Sequence, residues 1–78
     1  MARILELDLV ALRRDIPEHR LTAGDLGTIV FRYPSAEAFE VEFVTAAGET
    51  LAVLTLEAGD IRPLGAREIL HARALGEP

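Results

Sequence analysis

Any chemistry in this chain would have to come from two histidines, His19 and His71, one serine, Ser35, and thirteen carboxylates, since cysteine is absent. The two imidazoles stand on different elements, with no CxxC, HExxH or facial-triad spacing around them, so they do not compose a metal site. Ser35 lies in a proline-containing turn with no histidine beside it, which leaves no nucleophile–base pair to read. Glu40 and Glu42 alternate outward along a strand, as a solvated face does. A working acid–base pair needs a cleft, and 78 residues in one domain seldom enclose one. The residues predict no enzyme, no cofactor and no metal.

Two other features could bind something. "LTAGDLGTIV" carries Gly24 and Gly27 into an apolar strand, and glycines so spaced can cradle a phosphate, carry a basic nucleic-acid-binding loop, or let a strand turn a corner. The spacing is neither a Walker loop nor a three-glycine dinucleotide fingerprint, and it opens a strand instead of a helix, which favours the turn. The second feature is the first loop, where Arg13, Arg14, His19 and Arg20 gather positive charge. Arginine suits interfaces because its planar fork pairs carboxylates and its stem packs on apolar surface. A solvated loop answering Asp15 and Glu18 locally is the alternative.

These residues must be positioned by short strands. "ELDLVALRRDI" gives a strand over about Leu9 to Arg13. "IPEHRLTAGD" reads as a loop, and Gly27 to Tyr33 is the second strand. Pro34 ends that strand, having no N–H for a ladder, and seats a turn. "FEVEFVT" alternates most clearly, with Phe39, Val41 and Phe43 on the face that must be core. Gly48 supplies the next turn by accepting positive φ. "LAVLTL", 51 to 56, is apolar on both faces. "EAGD" suits a single 3₁₀ turn ending at Gly59, and "IRPL" a last edge strand limited by Pro63. "GAREILHARALG" shifts to helical period, with Ala66, Ile69, Leu70 and Ala74 on one stripe, predicting a helix over 66–75 that docks on the barrel.

The fold so predicted is mainly β: a small SH3-like half-open barrel of about five antiparallel strands over 1–64, with a short C-terminal α-helix in a 65–78 extension. The order "LDLVAL", "DIPEHRLTAGDLGTIV", "FEVEF" and "LAVLTL" resembles a family of small bacterial proteins known only as a domain of unknown function. The resemblance covers about residues 7 to 64 and rests on Asp15, Pro17, Gly24, Gly27, Glu42 and Phe43. It implies an SH3-like barrel without an established activity, in proteins that lie beside larger partners as small antitoxins or accessory subunits do. Gly24, Gly27 and Ile29 also resemble the glycine turn of ribosome- and polymerase-associated SH3-like modules, but Asp25 stands where those modules are basic.

Composition limits the function. Thirteen acids against eight arginines leave a net charge of −5, which repels a polyanion and sets nucleic acid behind other partners. Half the residues are apolar in a chain that buries only roughly 60% of its unfolded surface, so some apolar side chains face a partner. Leu51, Val53, Leu54 and Leu56 form a two-faced strand whose uncovered face needs the C-terminal helix, a second subunit or a different protein. No apolar run approaches the roughly 20 residues of a membrane span, and Glu6 and Asp8 interrupt the first one, which predicts a cytoplasmic protein. The leading expectation is a non-enzymatic protein-interaction module. A nucleic-acid-binding module using the glycine turn and first-loop arginines, and a self-assembling structural protein, stand as alternatives.

Overall fold

The computed structural model describes residues 3–76, so the first two positions and the last two of the expected extension lie outside the described residues. Each of the five segments read as a strand forms one: β1 (Leu9–Leu12), β2 (Leu26–Arg32), β3 (Ala38–Val44), β4 (Thr50–Glu57) and β5 (Ile61–Pro63). All pairings are antiparallel, in one unclosed sheet ordered β4-β3-β2-β1-β5. The central strand is β2, between β3 and β1, and β1 in turn lies between β2 and the edge strand β5.

The register explains which residues are buried. Ile29 pairs with Val41 and Val41 with Leu54; Phe39 pairs with Leu56. Side chains directly opposite one another share a face, so this face is continuous across three strands. Its members join Val10, Leu12, Ile16, Leu21, Phe43 and Ile61 in one core. Ile29 and Val41 are wholly inaccessible, although no second layer covers them. The sheet therefore curls over its own apolar face, with the first loop closing one end. That loop is more ordered than its polar composition predicts: Pro17–His19 form a 3₁₀ turn and Ile16 bridges Leu21, dropping both apolar side chains into the core.

Two expectations need correction. No α-helix forms over 66–75: the segment runs without regular structure, and Ile69 and Leu70, the proposed docking residues, are 92% and 60% exposed. Local propensity is insufficient for a run this short unless a tertiary surface receives its apolar stripe, and none does. The segment is nevertheless held as a strap by charged contacts described below. The second correction concerns Gly27, which does not adopt positive φ. Gly24 and Gly48 do, at +94° and +85°. Gly27 is instead buried beneath β3, where a Cβ would stand 2.6 Å from Val41 Cγ1 and 2.8 Å from Phe43 Cε1. Gly59 has ordinary φ and open space around it, closing the 3₁₀ turn Ala58–Asp60 without a conformational need for glycine.

Candidate functional site

The face of the sheet opposite the core is built by the same alternation. Leu9 pairs with Thr28, Thr28 with Glu42 and Glu42 with Val53, giving one row across four strands; Phe31, Glu40 and Thr55 make the next. A register shift between Ile29 and Phe31 bulges Val30 out of β2, after which Phe31 rejoins the outer face. Leu9, Phe31, Tyr33 and Val53 are all substantially exposed. The rings of Phe31 and Tyr33 meet edge to face, with centroids 4.9 Å apart at 84°.

Within this apolar frame sit two oriented carboxylates. Glu40 Oε2 accepts from the Tyr33 hydroxyl at 2.6 Å and from the Thr55 hydroxyl at 2.6 Å, and Glu42 Oε2 accepts from Thr50 Oγ1 at 2.8 Å. The Thr55 and Tyr33 hydroxyls hold the Glu40 carboxyl below its ordinary pKa, while Glu40 pushes the Tyr33 phenol up. Both hydroxyl bonds fall on one oxygen of Glu40, leaving the other to accept a donor from outside. Hydroxyls orient these charges without neutralising them. Outward alternation predicted only that Glu40 and Glu42 would be solvated; the threonines and tyrosine on neighbouring strands that fix them become visible only when the register is known.

The first-loop arginines do not form a free basic patch. Arg13 Nε donates to Ile61 O at 3.1 Å, Arg14 Nε to Asp60 Oδ1 at 2.9 Å, and Arg20 to Leu75 O at 2.9 Å. Each spans a large sequence separation, so these side chains tie the loop to β5 and to the C-terminal strap. His19 ends the 3₁₀ turn at the surface, away from this set of bonds. The strap answers in kind: Arg73 grips Asp25 with two nitrogens and donates to Arg20 O, and Arg62 chelates Glu68 through two 2.8 Å bonds. Arg73 draws the Asp25 carboxyl down, and Arg14 does the same to Asp60. Glu68 falls to about 2 through Arg62 and the Gly65 N–H. Beneath the strap lies an open cleft of about 360 Å³, floored by Leu21, Leu26, Phe43 and Leu51.

The glycine turn has no anion-binding capacity left. Thr22 N–H donates to Asp25 Oδ2, Ala23 N–H to Asp15 Oδ1, Gly24 N–H to Leu12 O and Asp25 N–H to Thr22 O. A phosphate cradle needs such N–H groups free. Of the two-faced strand, Leu56 is buried, Leu51 and Leu54 are half-buried against the core, and Val53 is exposed. Among the described residues no group of histidines and carboxylates is placed to hold a metal ion, and no helix is long and apolar enough to cross a membrane.

Residues 6–63 match the family described as "Domain of unknown function (DUF4926)", and the chain belongs to that family. No curated protein and no solved structure matches it.

Proposed function

We propose that this chain is a non-enzymatic protein-interaction module, SH3-like in its curled five-stranded sheet, whose outer sheet face docks a larger basic partner as an accessory or antitoxin-like subunit does. The observation that carries this reading is the outer face itself. Exposed Leu9, Phe31, Tyr33 and Val53 surround two carboxylates that hydroxyls hold in place and that, among the described residues, no cation neutralises. Exposed aromatic and aliphatic side chains grouped about oriented charge are what distinguishes a docking patch from a solvated strand face. An arginine of the partner fits best: its planar fork matches a carboxylate and its face stacks on Phe31. A net charge of −5 steers such a partner in. The nucleic-acid reading is less favoured, because Arg14 pairs with Asp60 and Arg13 and Arg20 are tethered to backbone carbonyls.

The test is capture from the native host with the full chain and with a Phe31→Ala, Glu42→Arg variant of unchanged far-UV spectrum and melting temperature. The wild-type chain should retain a basic protein that the variant loses and that salt releases. A partner held equally by both chains, or nothing retained by the wild type beyond what the variant retains, overturns the assignment.

A further inference from the structure

The two edges of the sheet are protected very differently. β5 is three residues long and ends in Pro63, which has no N–H to offer a further strand. β4, the other edge, is the longest strand, with eight residues, Thr50–Glu57. Soluble proteins guard such an edge with a charge, a proline, a bulge or a covering segment. From Thr50 to Leu56 the sequence TLAVLTL has neither charge nor proline. The only register shift against β3 falls at the beginning of β4, leaving its centre regular. Of β4 only Leu51 lines the cleft beneath the strap, and among the described residues no backbone bond joins the strap to β4. The core is also open here, since Leu54 and Leu51 pack against it yet remain half-buried.

We infer that β4 is an association edge at which two copies of this chain pair antiparallel about a two-fold axis at Leu54, joining their sheets into one. The self-complementarity of the strand selects this occupant. With Leu54 opposite Leu54, Ala52 meets Leu56, Val53 meets Thr55 and Leu51 meets Glu57, so no like charges are opposed and the two open core margins close on each other. Centring on Val53 instead sets Glu49 against Glu57, a like-charge pair in both halves. Pro63 bars the corresponding pairing through β5, so the contact closes as a dimer and does not propagate. This inference uses the edge, not the carboxylates of the outer face, and stands or falls separately from the partner reading.

Sedimentation equilibrium of the full chain from tens to hundreds of micromolar should show a monomer–dimer equilibrium. Val53 and Thr55 are both exposed, and because replacing Thr55 removes a hydroxyl that Glu40 accepts from, association is compared only between variants whose far-UV spectrum and melting temperature match the wild type. A Val53→Lys, Thr55→Lys variant places lysine opposite lysine twice across the axis and should weaken the dimer on the order of tenfold. A Val53→Lys, Thr55→Glu variant places opposite charges at the same positions and should restore it. Amide exchange supplies a second reading on the unaltered chain, with protection along β4 rising with concentration. A wild-type chain that stays monomeric across the range overturns the inference, as does a dimer that both variants leave equally strong, or one formed through a different protein's strand alone.

Discussion

Replacing Gly27 by alanine separates close packing from turn geometry as the reason for the glycine pair. The added Cβ would lie 2.6 Å from Val41 Cγ1, 2.8 Å from Phe43 Cε1 and 3.1 Å from Phe43 Cζ. Val41 is fully buried and has no room to retreat, whereas Phe43, though 2% exposed, borders the cleft beneath the strap, so the contact with Val41 sets the cost. Overpacking of this kind costs about 1–3 kcal/mol, and the clash with Val41 places Gly27→Ala at about 2 kcal/mol or above. In a domain of this size that lowers the melting temperature by roughly 8–16 °C. Gly24→Ala meets nothing within 4 Å but must hold φ at +94°, so its cost is the backbone term alone, about 1 kcal/mol. The assay is urea unfolding of both variants and of Val41→Ala with and without Gly27→Ala. The Val41 truncation should cost at least about 1 kcal/mol less in the alanine background, since it vacates the clash. Gly27→Ala within about 0.5 kcal/mol of wild type, or strict additivity with Val41→Ala, would refute the packing argument.

The strap yields two further expectations. Ile69→Ser with Leu70→Ser should change stability by no more than about 0.5 kcal/mol, because neither side chain is covered; a loss above about 1 kcal/mol by urea unfolding would mean that they dock in solution. The three ion pairs predict acid sensitivity. Asp25, Asp60 and Glu68 are all held below their unfolded values, so their stabilisation is complete above the ordinary carboxylate range and is lost as pH falls through the folded values, for Glu68 from roughly 4.3 toward about 2. Arg73→Ala should therefore cost about 0.5–1 kcal/mol at neutral pH, a modest figure for a pair still partly in solvent, and less at the acid end, where only its donation to Arg20 O remains. A gap that is the same at both pH values would show that the pair with Asp25 contributes nothing.

The strands were legible because alternation survives in a sheet with one face buried: Phe39, Val41 and Phe43 could belong only to the core, and all three do. Pro34, Gly48 and Pro63 each marked a boundary through a backbone restriction that no tertiary context can remove. The C-terminal segment failed for the opposite reason. Its helical period was a local signal, and a short helix persists only if a surface takes its stripe, which the sequence cannot display. The first-loop arginines were legible as a cluster but not as tethers, since Asp60 and Leu75 lie far along the chain. Gly27 was recognised as necessary for the wrong cause: a close approach to β3 depends on cross-strand register, whereas a turn can be read from adjacent residues.

The distribution of pairing bears on the proposed docking face more than the net charge does. Five of the eight arginines, Arg13, Arg14, Arg20, Arg62 and Arg73, donate within the chain, and the acids they neutralise are Asp25, Asp60 and Glu68. All three acids lie on the first-loop turn, the link into β5 and the strap, none on the outer sheet face. Glu40 and Glu42 receive hydroxyls instead, and those of Thr55 and Tyr33 lower the Glu40 pKa while leaving its charge in place. Cations are thus spent fastening loop and strap, while negative charge is oriented and kept on the face that also exposes Phe31 and Tyr33. A chain selected only for solubility would gain nothing from fixing those carboxylates among exposed aromatics, where ordering them costs side-chain entropy. The docking face proposed above would gain, because the ordering would be complete before a partner's arginine arrived.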